Sequence, residues 1–109
     1  MPKFDGSEGV AIELATAVKW TKNYRERAAP DPVRGVVIKG HFFGRELLEK
    51  ILSQDGCMGI RIYHARDERG QRQLVLVGAD ADGEDMTAGT MADGAKVCPP
   101  DCATGELNG

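Results

Sequence analysis

No run of apolar residues in this chain approaches the roughly 18 needed to cross a bilayer, so a transmembrane helix is excluded on length alone. There is no continuous apolar core near the start either. In MPKFDGSEGVAIELATAVKW, Asp5, Glu8 and Glu13 interrupt the apolar residues, unlike a secretory signal. Cysteine is scarce and odd in number, with Cys57, Cys98 and Cys102 only. Three thiols are too few for a disulfide scaffold and agree with a reducing compartment, so the expected location is cytoplasmic. A concentrated basic stripe is missing as well. Residues 1–80 carry 13 Lys/Arg against 11 Asp/Glu, whereas residues 81–109 carry Lys96 alone against six acids. Phosphate backbones need clustered cations, so neither nucleic acid nor membrane is an expected partner.

Phosphate-loop, dinucleotide and serine-hydrolase signatures are also lacking, because no G-x-x-x-x-G-K, G-x-G-x-x-G or G-x-S-x-G occurs. Classical nucleotide binding and serine hydrolysis are therefore without support. What remains is an ordinary globular composition, 41% hydrophobic and 28% charged, in 109 residues, enough for one domain. A chain this short buries only roughly 60 to 65% of its unfolded surface, so its stability margin is thin.

The pattern predicts an α+β fold, two helices packed on an antiparallel hairpin, as a domain over residues 1–80. An irregular, acidic, Gly/Asp-rich segment over residues 81–109 follows it. Ser7 as N-cap and Glu8 in the first turn predict a long helix to Arg27. Val10, Leu14, Ala17, Val18, Thr21 and Tyr24 recur as its buried face, with Trp20 at the margin. Pro30-Asp31-Pro32 reads as a stiff connector, and Val36-Val37-Ile38 as either a short strand or a plug in the core. Residues 44–54 predict a second helix, burying Phe43, Leu47, Leu48, Ile51 and Leu52, with a Glu46–Lys50 pair outside and Gly56 as left-handed cap.

Residues 59–66 and 71–78 alternate around the loop Asp67-Glu68-Arg69-Gly70 and predict a hairpin. With Arg66 facing Gln71, Ile60, Ile62 and His64 oppose Val77, Val75 and Gln73 against the helices. The other face then gathers Arg61 and Tyr63 with Leu74 and Leu76. A two-stranded sheet cannot stand alone in water, so these four residues are the expected interaction face. The function they imply is a non-enzymatic protein-interaction or self-assembly module, with a protein partner or a second copy as its target.

The runs AVKWTKNYRE, HFFGRELLEK, GIRIYHAR, QLVLVGAD and CPPDC together resemble a group of small uncharacterised bacterial proteins of about this length. That resemblance spans most of the chain and implies no activity, cofactor or catalytic residue.

Cys98-Pro-Pro-Asp-Cys102 carries the alternative reading, a thiol- or metal-binding protein. Two thiolates in a proline-stiffened turn could hold zinc with Cys57, His41 or His64 completing a tetrahedral set. The same two cysteines could instead close a small disulfide. A zinc deaminase pattern fails, because Arg66 stands where a proton-shuttling glutamate is required and the cysteine spacing is one residue too long. Asp80 to Asp85 lacks the glycine and glutamate positions of a calcium loop and reads as a turn. No cofactor is therefore expected, with zinc as the exception the cysteines leave open.

Overall fold

The computed structural model describes residues 2–109, and its architecture is α+β. In chain order it contains α1 (Leu14–Arg27), β1 (Gly40–Phe42), α2 (Arg45–Leu52), β2 (Gly59–Arg66), β3 (Arg72–Ala79), β4 (Met91–Ala92) and β5 (Lys96–Cys98). A 3-10 turn at Glu106–Asn108 ends the chain. Strands β2, β3 and β4 form an antiparallel sheet in that order, and β1 pairs with β5 in a second, antiparallel one.

The first helix begins later than its sequence signals suggest. Ser7 does not cap it; its hydroxyl donates to Asp5 Oδ1, and the Glu8 carboxylate accepts the N–H groups of Asp5 and Gly6. The polar leader thus closes a turn of its own. Gly9, at φ 112°, blocks continuation of a right-handed helix. Helix α1 therefore opens at Leu14 with Glu13 as a cap that makes no side-chain bond. None of its residues is buried. Ala17, Val18 and Thr21 are half-covered, but Val10 and Leu14 of the expected face lie open, Leu14 being 59% exposed.

Helix α2 covers its expected face only in part, with Phe43, Leu47 and Leu48 half-buried. Ile51 is completely buried, while Leu52 turns out to solvent. Gly56 takes a φ of 81°, but Ser53 is the C-cap, so the glycine turns the chain three residues further on and does not cap the helix. The surface ion pair is Arg45–Glu49 at 3.9 Å rather than Glu46–Lys50.

The hairpin is present, one residue out of the expected register. Arg66 pairs with Arg72, His64 with Leu74, Ile62 with Leu76 and Ile60 with Gly78. The loop is longer because the Asp67 carboxylate organises it. Asp67 accepts the N–H groups of Arg69 and Gln71 and the Gln73 amide, and its own N–H donates to Gln71 O. A slip of one residue changes which cross-strand neighbours share a face. Leu74, Leu76 and Gly78 therefore sit with Ile62 and His64, and Arg61 and Tyr63 lie on the opposite side with Val75 and Val77.

The core gathers around β3. Ile38, Ile51, Leu76, Val77 and Ala79 are its buried apolar side chains. Ile38 fills the core without being in a strand, so the β-branched run before β1 is a plug. Residues past 80 are largely irregular, and their two short strands, β4 and β5, join the two sheets. Their acidic turn is self-contained, with Asp80 Oδ1 accepting the N–H groups of Asp82 and Glu84. Among the described residues no helix is long and apolar enough to cross a membrane.

Candidate functional site

The four residues expected to form one interaction face do not share it. Leu76 is buried and Leu74 half-buried on the side that also carries Ile62. Arg61 and Tyr63 do lie together, and their partner is Asp85, which bridges to Ala79 beyond the end of the hairpin. Arg61 Nη1 donates to Asp85 Oδ1 at 2.6 Å and to the Gly83 carbonyl at 2.9 Å, and the Tyr63 hydroxyl donates to Asp85 Oδ2 at 2.5 Å. The Phe4 ring lies 5.5 Å from the guanidinium carbon of Arg61. Each member holds its neighbours' charge states. The Tyr63 hydrogen bond, with Arg61 behind it, lowers the Asp85 carboxyl. In return Asp85 raises both the Tyr63 hydroxyl and the Arg61 guanidinium. The chain's own leader and acidic turn therefore engage Arg61 and Tyr63.

What stays open is the edge of the sheet. β2 is an outer strand of eight residues, and the N–H of Asp67 to Gln71 O fixes which of its residues bond inward. By the alternation of antiparallel ladders, odd-numbered β2 residues exchange bonds with β3. Ile60, Ile62, His64 and Arg66 then turn their backbone groups outward. Among the described residues no backbone or side-chain group bonds to that edge. Ile62 and Tyr63 at its middle are 55% and 45% exposed.

The three cysteines do not converge. Cys98 and Cys102 are joined in a disulfide, a pairing that oxidising surroundings preserve. Cys57 is a free, half-buried thiol whose Sγ donates to the Gly59 carbonyl at 3.2 Å, beneath β3. Among the described residues no three His, Cys, Asp or Glu side chains gather as a metal site.

The two histidines do meet, in a cavity of about 380 Å³ between α1, β1, the hairpin and the terminal turn. His41 comes from β1 and His64 from β2. Burial, then the charges of Arg34 and His64, lower the His41 imidazole below its ordinary value. Trp20 and Tyr24 of α1 contribute the aromatic wall, with Ile38, Leu74 and Leu107 as aliphatic lining. Arg72, at the start of β3, supplies a cation.

Asp31 sets the position of that end of β3. Its fully buried carboxylate accepts Val33 N–H, Arg34 N–H and, across the fold, Arg72 N–H at 2.7 Å, along with the Arg34 guanidinium at 3.1 Å. Arg34 also donates to the Arg72 carbonyl. The Arg34 N–H foremost, and the other donors with it, hold the Asp31 carboxyl down to about 2, against the opposing effect of burial. The connector role read from Pro30-Asp31-Pro32 understates it. A short acidic side chain between prolines, followed by free N–H groups, is the available sequence signal for such a turn. For Arg72 no local signal exists.

No family model, no curated protein and no solved structure matches this chain.

Proposed function

We propose that this protein is a non-enzymatic self-association module that pairs with a second copy through the outer edge of β2. The observation that carries the reading is the unpaired eight-residue edge, with Ile62 and Tyr63 half-exposed at its centre. Natural sheets blunt such edges with proline, lysine, bulges or a covering element. The run GIRIYHAR has no proline or lysine, and its ladder with β3 runs without a bulge. Its central cation, Arg61, is already engaged by Asp85.

The edge is self-complementary. Antiparallel pairing of Ile62 with Ile62 of a second copy brings the outward groups of Ile60 opposite those of His64, for about six new main-chain hydrogen bonds. Residues directly opposite share a face, so Arg61 meets Tyr63 of the second copy and no two cations are opposed. Two-fold symmetry closes the contact and leaves no open-ended growth across this edge.

Sedimentation equilibrium of the full chain over micromolar to millimolar concentration tests the reading. The wild type dimerises with concentration, and Ile62→Lys shifts it to monomer with its circular dichroism spectrum unchanged. A wild type that stays monomeric throughout, or an Ile62→Lys protein that dimerises as well as the wild type, refutes it.

A further inference from the structure

The cavity beside α1 supports an assignment that does not depend on the strand edge. Among the described residues only two buried side-chain polar atoms lack a hydrogen-bond partner, His41 Nδ1 and Arg72 Nε. Both belong to residues lining this one cavity. Buried polar atoms are nearly always paired, so two orphans in the same place call for a ligand group that satisfies both. The ionisable lining is one-sided too, with Arg25, Lys39, Arg72 and the two histidines and no carboxylate. Arg25 already donates to the Leu107 carbonyl and Lys39 to that of Asn108. That leaves Arg72 and the two histidines, and of these Arg72 and His41 carry the unpartnered buried atoms that would meet an anion.

Apart from Thr21 and Gln73, the rest of the lining is aromatic or aliphatic. Trp20 and Tyr24 stand at the cavity with substantial exposure, and Ile38 and Leu74 close it toward the core. A volume of about 380 Å³ falls in the range of small-molecule sites. We propose that this cavity binds a small aromatic carboxylate, its ring against Trp20 and Leu74 and its carboxylate on Arg72 and His41. A planar carboxylate suits the planar fork of a guanidinium. Inorganic phosphate would satisfy the charge and leave the apolar wall unfilled.

Trp20 is the only tryptophan in the chain, so its fluorescence reads the site directly. Titration of the full chain with benzoate gives a saturable change in Trp20 emission. Benzamide, the neutral isostere, and inorganic phosphate each bind at least about tenfold more weakly, because one lacks the charge and the other the ring. Arg72→Gln and His41→Gln each weaken benzoate binding several-fold, and either one that keeps the wild-type circular dichroism spectrum suffices as the test. Four results overturn the proposal: no saturable change up to about 20 mM benzoate, an affinity too low for a specific site; benzamide binding as tightly as benzoate; phosphate binding as tightly as benzoate; or wild-type affinity in both folded variants.

Discussion

Gly78 lies in the central strand where α2 crosses it, and replacing it with alanine tests the packing there. An ideal Cβ at this position stands 3.0 Å from Cys57 Sγ, 3.0 Å from Gln54 Nε2 and 3.4 Å from Ile51 Cγ2. The backbone itself is ready for a side chain, since Gly78 is not among the residues with positive φ. Removing glycine's freedom from the unfolded chain returns about 0.4 to 1 kcal/mol. Crowding a packed site costs about 1 to 3 kcal/mol. Which neighbour yields decides the sum. Gln54 is held at both ends, its Nε2 donating to Ile51 O at 2.8 Å and its Oε1 accepting Thr90 N–H at 3.0 Å. Cys57 is fixed by one weak thiol bond. Gly78→Ala is therefore expected to lose about 1 to 2 kcal/mol, a fall in Tm of about 5 to 15 °C for a domain of this size. Adding Cys57→Ala removes one of the two closest atoms, and the double mutant recovers about half of that loss. Thermal and urea unfolding of wild type, both single mutants and the double mutant give the coupling. A Gly78→Ala protein as stable as wild type, or purely additive effects, refutes the packing argument.

Two further predictions concern ionisation. The Asp31 carboxyl, held to about 2 against an ordinary 3.8, contributes stability above the upper value that is lost as pH falls through the lower one. Asp31→Asn should be less stable than wild type at neutral pH and lose less on acidification through that window; urea midpoints that fall in parallel for the two proteins would sink this account. Asp85→Asn replaces the carboxylate whose hydrogen bond, and then whose charge, raise the Tyr63 hydroxyl, so in a Tyr24→Phe background the ultraviolet titration of Tyr63 should move to lower pH. An unmoved titration would show that Asp85 does not hold that proton.

The local part of this fold is legible in the sequence and the long-range part is not. Alternation in GIRIYHAR and RQLVLVGA, with Gly70 between them, is enough for a hairpin. Its register hinges on Asp67, whose carboxylate holds a five-residue loop where composition suggests four, and register decides which residues share a face. A four-residue loop would put Arg61 and Tyr63 beside Leu74 and Leu76, and the five-residue loop parts them. Helical periodicity likewise marks a face on α1 without saying that anything covers it, and nothing fully does. The groups that build the cavity meet across long separations. Asp31 and Arg72 are 41 residues apart, and Arg25 and Leu107 are 82 apart. No spacing rule reaches that far.

The two proposed surfaces share one residue. The side chain of His64 lines the cavity, and its backbone lies on the outward side of β2. The walls of the cavity also differ in how firmly they are set. β3 is anchored by buried side chains and by Asp31, whereas α1 buries none of its residues and is tied to the terminal turn by the Arg25 bond to Leu107 O. Elements with little buried surface are the ones that open locally. An anion that engages Arg72 and His41 while its ring rests on Trp20 joins the loose wall to the firm one and orders the His64 end of β2. Pairing across β2 orders the same residue from its backbone side. Coupling between two sites is reciprocal, so a ligand that tightens self-association must itself bind more tightly to the paired form, by the same factor.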